Sequence, residues 1–371
     1  MGRDILHVMR TYGVHGGERQ LFQLFSANAG TPWRETFLSV YQDDASARYF
    51  ARIEGLRLGA LLPMSVPAFP SLAIEVLILL LLSPVLQLRV LWEAWRRGAG
   101  VCFAHGLQGA VSCWLAACLL RRVPFVYVHR GTKSAAGSSG LFRWLYAPYR
   151  VVAGVSEASA RSLDPLLAGR RAIALTNGID WQGIQARAGA RPAVPERTLL
   201  AIGRLMPGKG QRLLLDAFAL LPNAAWRLCF AGSGPDEATL RQQAEALGIA
   251  GRVDFLGHVE DVAQCLVVSG IFVHASESEG LSNAVLEAMA LRVPSVVVDA
   301  AGVSECHVAG ETGLVVPRDA NALAAALDEL IDNPLRRHQM GQAAEARVRS
   351  HFSIDANAAR YRALYSELVE G

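Results

Sequence analysis

Short apolar runs alternate with longer helix-like stretches along almost the whole chain, and no other feature limits its fold so strongly. "DILHVM" reads as a strand and "GGERQLFQLFSANA" as the helix after it. "ETFLSVY", "VCFAHG", "VPFVYVHRG", "YRVVAGVS" and "AIALTNGID" are further strands, most of them separated by helix-length segments. After "ARAGARPAVPERT", a linker by composition, the alternation restarts with "LLAIGRL" and "QRLLLDAFALL". It continues through "WRLCFAGSG", "VDFLGHV", "IFVHAS", "NAVLEAMAL", "PSVVVDA" and "TGLVVP", and closes on two or three helices from Asn321 onward. Continuous apolar strands between helices imply parallel sheets covered on both faces. Two such runs imply an α/β chain of two doubly wound, Rossmann-like domains facing a central cleft. Ligands in that architecture bind at the carboxyl ends of the strands. The expected boundaries are 1–183 for the first domain, 184–197 for the linker and 198–353 for the second, with a closing helix over about 354–371 packing back on the first.

Composition sharpens this in three places. Arg and Lys outnumber Asp and Glu by 20 to 11 in residues 1–190 but fall short by 16 to 22 in residues 191–371, so the front half is suited to an anionic partner. Only Lys133 and Lys209 of the 36 basic residues are lysine, which makes a lysine in a shaped loop informative. The six cysteines show no metal-type spacing and read as buried, reduced thiols, which fits a cytoplasmic location. "MGRDILHVMR" has no apolar signal core. The apolar run Val76–Leu86 is broken by Ser83 and Pro84 and is too short for the roughly 20 residues of a span. It reads as a buried helix kinked by Pro84, with a helix lying on a membrane surface as the second reading.

Three loops carry chemistry, and each follows a strand. In "YGVHGGERQL", Gly13, Gly16 and Gly17 precede a helix and let backbone amides approach an anion. The spacing is not that of a dinucleotide fingerprint. In "AIGRLMPGKGQRLLLDA", Arg204 and Lys209 place a planar fork and a point charge at a helix start, which suits a diphosphate. In "SESEGLSNAVLEAMA", Glu279 lies in the loop and Glu287 in the helix, so the two can reach different hydroxyls of one sugar ligand. The amides of Gly280, Leu281, Ser282 and Asn283 would face a phosphate, while Glu277 reads as a solvated loop charge.

Glu279-x7-Glu287, with "GRLMPGKG" upstream and "GVSECHVAGETGLVVP" downstream, resembles the retaining family-4 glycosyltransferases of the GT-B architecture (glycosyl transferases group 1). "GGER", "TNGID", "AGSGPDEATL" and "FLGHVEDV" follow that family's signposts in order, so the resemblance covers nearly the whole chain. It implies that Glu287 holds the ribose of a nucleotide and that Glu279 sits near the transferred sugar. Arg204 and Lys209 would neutralise the diphosphate without a metal. Gly16 and Gly17 would close over the phosphates, Gly232 and Gly234 would line the nucleotide side, and Gly257 would shape the base pocket. Glu305 stands where the family shows a glutamate near the nucleotide-sugar loop. His129 matches the family's histidine at a strand end, where it would donate to the sugar or the attacking hydroxyl. "HRG" departs there from the usual "HD", and His105 is a second candidate nearby.

The implied reaction is transfer from a UDP-, GDP- or ADP-sugar with retention and no cofactor, the leaving phosphate taking the acceptor proton. Arginines beside Trp144, Tyr146 and Tyr149 favour a lipid-linked or otherwise anionic saccharide acceptor at the inner membrane face, in bacterial polysaccharide, lipopolysaccharide or glycolipid synthesis. Nucleic acid is not an expected partner. The alternatives are a nucleotide-sugar epimerase of the same fold, an inactive sugar-nucleotide-binding module and a membrane scaffold.

Overall fold

A computed structural model describes residues 4–11, 13–64, 72–131, 139–192 and 196–370, the side chains of 72–77, 79, 80 and 139 excepted. Lys133 and the first part of the Val76–Leu86 run therefore lie outside the described residues and side chains. The chain forms two compact units, residues 1–178 with 354–371, and residues 179–353.

The first unit is built on seven strands: β1 (Asp4–Met9), β2 (Arg34–Tyr41), β3 (Arg57–Leu62), β4 (Val101–His105), β5 (Phe125–His129), β6 (Val151–Gly154) and β7 (Ile173–Ala174). They run in the order β3-β2-β1-β4-β5-β6-β7. Each neighbouring pair is parallel, as between Met9 and His105 or His129 and Gly154. Side chains alternate across the pleat. Leu6, Val8, Cys102, Ala104, Phe125 and Tyr127 pack on one face with the helices Leu72–Arg97 and Gly106–Leu119. Ile5, Met9, Val101, Phe103, Val126 and Val128 pack on the other with the helices Gly16–Asn28 and Ile354–Glu370. β3 has no counterpart in the sequence reading. It is an edge strand whose first four residues are exposed or half-exposed, so it lacks the continuous apolar run of its buried neighbours. The helix Leu72–Arg97 is continuous through Pro84. Among the described residues no helix is long and apolar enough to cross a membrane.

The second unit holds six strands, β8 (Thr198–Ile202), β9 (Arg227–Ala231), β10 (Val253–Gly257), β11 (Ile271–His274), β12 (Ser295–Val298) and β13 (Leu314–Val316), in the parallel order β10-β9-β8-β11-β12-β13. Helices Gln211–Ala219, Glu237–Ala246 and Ala320–Asp332 cover one face around Phe218 and Phe230. Helices Trp181–Ala188, Ala263–Val268, Asn283–Ala290 and Pro334–His351 cover the other around Phe272 and Met289. The segment 184–197, expected as linker, thus begins inside the helix Trp181–Ala188, which Asp180 caps by accepting the Gly183 amide at 2.9 Å.

Each sheet has one point where the strand order reverses. It lies between β1 and β4 in the first unit and between β8 and β11 in the second. Ligands of open α/β sheets bind beyond the strand ends at such points.

Candidate functional site

The loops that leave β8 and β11 in the second unit bring two of the sequence's candidate residues, Lys209 and Glu279, together. Lys209 Nζ donates to Glu279 Oε1 at 2.6 Å. His274, the last residue of β11, places Nε2 3.5 Å from the same oxygen and 3.3 Å from Ser282 Oγ. Burial alone would push the Glu279 carboxyl up, but the His274 hydrogen bond and the Lys209 charge outweigh it and hold Glu279 at about 2. At neutral pH this is a permanent anion paired with a cation. Both side chains keep some solvent exposure, so the pair can still be reached.

Close backbone packing sets these loops. Gly210 begins the helix Gln211–Ala219 in the left-handed region, and a Cβ there would stand 2.0 Å from Ala275 O. Glu277 N donates to Gly208 O at 2.8 Å. Arg318 fixes the same strand end by donating to Ala275 O at 2.9 Å and to Glu277 Oε1 at 2.9 Å. Glu277 is therefore ion-paired while still exposed, which its reading as a plain solvated charge missed. Gly302 meets Glu279 O so closely that a Cβ would fall 2.1 Å away, and Glu279 N and Ser282 N donate to Ala301 O and Gly302 O, each at 3.0 Å.

Asn283–Ala290 opens the other side of the site. Ser282 precedes it without capping it, because its hydroxyl faces His274. Of the amides expected to face a phosphate, that of Ser282 is already used within the loop. Leu281 is buried, Gly280 and Asn283 are half-buried, and Glu287 is half-buried in the helix's second turn. Arg204 lies on the exposed side of the β8 loop, its carbonyl held by Gln211 Nε2 at 2.9 Å. No contact joins Arg204 to Lys209 among those described; the lysine's partner is a carboxylate. Gly232 and Gly234 have a plain packing role, since a Cβ on them would lie 1.9 Å from Gly203 O and 2.1 Å from Leu205 O. They seat the Arg204 loop. Gly257 takes a positive φ in open space, and its carbonyl accepts from Gly232 N at 2.8 Å. Arg347 donates to the carbonyls of Glu305 and Cys306, fixing the turn that carries Glu305.

In the first unit, Gly16 and Gly17 start the helix Gly16–Asn28, and a Cβ on Gly17 would rest at ordinary contact distance from Arg130. His129 ends β5 with Nδ1 2.9 Å from Tyr127 Oη. Its buried Nε2 has no hydrogen-bond partner among the described residues, and burial lowers its pKa. His105 is fully buried between His7 and Arg130. His274 was not singled out in the sequence; the signal available was a polar residue closing the apolar strand "IFVH" directly before the glutamate loop.

Two doubly wound units, with parallel sheets of seven and six strands interleaved with helices, have the GT-B fold. Residues 185–347 of the chain match the family described as glycosyl transferases group 1. It is similar to the lipopolysaccharide core biosynthesis glycosyltransferase LpsE of Rhizobium meliloti, 35% identical over 141 residues, 37% of this chain and 41% of that protein. It is also similar to a GDP-mannose-dependent monoacylated alpha-(1-6)-phosphatidylinositol monomannoside mannosyltransferase of Corynebacterium glutamicum, 37% identical over 164 residues, 40% of this chain and 42% of that one. The matched segments thus span less than half of these relatives. In fold the chain is similar to Anabaena HepE, solved in complex with UDP, with a TM-score of 0.80 at 21% identity over 98% of this chain and 100% of that one.

Proposed function

We propose that the chain transfers a sugar from a nucleoside diphosphate sugar to a lipid-linked or saccharide acceptor, with retention of configuration. The observation that carries this reading is the Lys209–Glu279–His274 cluster at the switch point, beside a helix start that its own serine does not cap. The departing diphosphate gains negative charge as the sugar takes on oxocarbenium character. Lys209, Arg204 and the amides that begin Asn283–Ala290 would act where that charge grows. In this role Lys209 shares its charge between Glu279 and phosphate, and Glu279 turns its second oxygen to sugar hydroxyls. Glu287, one helical turn further on, takes the ribose hydroxyls. His129 donates to the sugar or the attacking hydroxyl, and the leaving phosphate accepts the acceptor proton. Relatives named for lipopolysaccharide core synthesis and for a GDP-mannose-dependent glycolipid transfer support the reaction class, and a neighbour solved with UDP supports a nucleotide donor.

The test is a thermal-shift panel of UDP-, GDP- and ADP-sugars. One donor at a hundred times its Kd should add about 2.7 kcal/mol of apparent stability. A flat panel at millimolar concentration removes the reading.

The acceptor proposal includes a membrane surface. The helix Leu72–Arg97 turns Leu81, Val85, Leu88, Trp92 and Trp95 outward at spacings of four and three, while Leu86, Val90 and Ala94 face the core. Trp95 is 66% exposed. An apolar groove of about 390 Å³ runs among Leu88, Leu91, Trp92, Trp95 and Leu120. Trp114 and Trp144 stack on each other at 4.2 Å, and Arg89, Arg121 and Arg122, which follow the groove residues Leu88 and Leu120 in the chain, are exposed. Tryptophans at an apolar face with exposed arginines next to its residues in the chain suit the interface of an anionic bilayer. Wild-type protein should sediment with phosphatidylglycerol vesicles and not with phosphatidylcholine vesicles, and Trp92→Ser with Trp95→Ser should cut binding at least tenfold. Equal sedimentation of the double variant would exclude this face.

A further inference from the structure

One face of the first unit's sheet buries a continuous chain of polar groups drawn from five separate elements. Arg130, just past β5, donates from Nη2 to His105 Nδ1 at 3.0 Å. His105 Nε2 lies 2.9 Å from His7 Nδ1. His7 Nε2 lies 3.3 Å from Tyr365 Oη, and Tyr365 donates to Glu35 Oε1 at 3.0 Å. A second branch reaches the same oxygen. Arg362 Nη1 donates to Asn28 Oδ1 at 2.9 Å, and Asn28 Nδ2 donates to Glu35 Oε1 at 2.9 Å. Phe25 and Phe103 flank the His7 ring at 4.9 and 5.0 Å and exclude water from it.

The chemistry of the end groups fixes the direction of every bond. A guanidinium donates and cannot accept. His105 must therefore present a bare Nδ1 to Arg130 and carry its proton on Nε2. That proton points at His7 Nδ1, which must be bare in turn. His7 carries its proton on Nε2 and gives it to Tyr365 Oη, which leaves the tyrosine hydrogen for Glu35. A second proton on either imidazole would face another donor, so both rings are held neutral. Burial, the largest cause, and the Arg130 charge both favour the neutral rings, lowering His7 to about 3 and moving His105 the same way. At the far end, burial pushes Glu35 up to about 7 against the Asn28 and Tyr365 hydrogen bonds.

Arg130 sits at the carboxyl end of the sheet, beside the first turn of Gly16–Asn28. Its Nη1 donates to Gly17 O at 3.4 Å, and its buried Nε has no hydrogen-bond partner among the described residues. Burial opposes its charge, while Tyr361 and Glu18 favour it. We propose that Arg130 is the first unit's contact for a substrate phosphate, and that His105, His7, Tyr365 and Glu35 are positioning residues forming a one-way relay that fixes its guanidinium. The proposal rests on the transferase reading for the substrate but not for the relay. The phosphate belongs either to a nucleoside diphosphate donor or to a lipid phosphate acceptor.

Two measurements on the full chain decide it. In histidine-labelled protein, long-range ¹⁵N–¹H correlation spectra, assigned with His7→Gln and His105→Gln, should show both imidazoles protonated at Nε2 alone from pH 5.5 to 8.5. Arg130→Gln, whose amide can donate or accept, should bring in the second tautomer of His105. A wild-type His105 protonated at Nδ1, or one that titrates in this range, overturns the relay. Binding is then read by calorimetry with UDP, GDP and ADP, and with farnesyl phosphate in neutral micelles. Arg130→Gln should weaken at least one of these at least tenfold, with partial rescue by Arg130→Lys, and the ligand affected names the source. Unchanged affinity for every ligand the wild type binds overturns the contact. If the wild type binds none of them, both the contact and the transferase reading fall, while the spectra still decide the relay.

Discussion

Lys209→Ala should lower sugar transfer by roughly a hundredfold or more while leaving the fold intact, and Glu287→Ala should do the same. Both side chains are partly exposed in the second unit, so neither removal opens a core cavity. The lysine is paired with Glu279 in the loop that leads to the uncapped helix start, and its loss takes away stabilisation that grows only as the diphosphate departs. kcat should therefore fall more than KM rises. The lysine variant has a second signature. With its folded pKa held at about 2, Glu279 contributes stability that is fully present above its unfolded value near 4.5 and is lost as pH falls toward 2. Without Lys209 the carboxyl's pKa rises toward the unfolded value, so the acid limb of the stability curve should begin at higher pH. Wild-type turnover in both purified variants would remove the site assignment. An unchanged acid limb in Lys209→Ala would show that His274 alone holds Glu279.

Gly210→Ala should destabilise the second unit by roughly 3 kcal/mol, a fall in Tm of about 10 °C, and should reduce transfer as well. Two costs combine. A positive φ of 77° strains any L side chain, and the new Cβ would meet backbone Ala275 O at 2.0 Å, where no flexible group can give way. Relief requires the β8 and β11 loops to part, which also separates Lys209 from Glu279. Gly257→Ala separates the two costs, because its φ is 68° but nothing lies within 4 Å of the added carbon. It should lose only the strain, about 1–2 kcal/mol. Equal losses in the two variants, measured by denaturant unfolding, would refute the collision argument.

The sheets were legible because buried parallel strands leave unbroken apolar runs, and "VCFAH" or "SVVV" can hardly be anything else. β3 was not, because an edge strand shows solvent half of its residues. Among the site residues, Lys209, Glu279 and Glu287 could be found because charged groups in small or apolar loops need a reason to be there. Pairing was not legible. The sequence reading set Lys209 beside Arg204 for a diphosphate, and the ion pair that the fold adds with Glu279, 70 residues on, could not be read from it. Gly232 and Gly234 were recognised as special, yet their visible task is to let two loops touch. Of the relay, only His105 and the Arg130 of "HRG" stood out. His7, Glu35 and Tyr365 stand in ordinary strand and helix patterns, and only the sheet order and the return of the closing helix bring them within hydrogen-bond reach.

The helix Ile354–Glu370 belongs to the first unit, where Ala358, Tyr361, Leu364, Tyr365 and Leu368 are buried. On a ribosome the part of the first sheet's face lying under Ile354–Glu370, beside the helix Gly16–Asn28, therefore stays uncovered until residues 179–353 have been made. The second unit, whose strands and covering helices are contiguous, has all its parts beforehand. The first unit is thus completed after the second, and part of its apolar face waits uncovered through the translation of its neighbour.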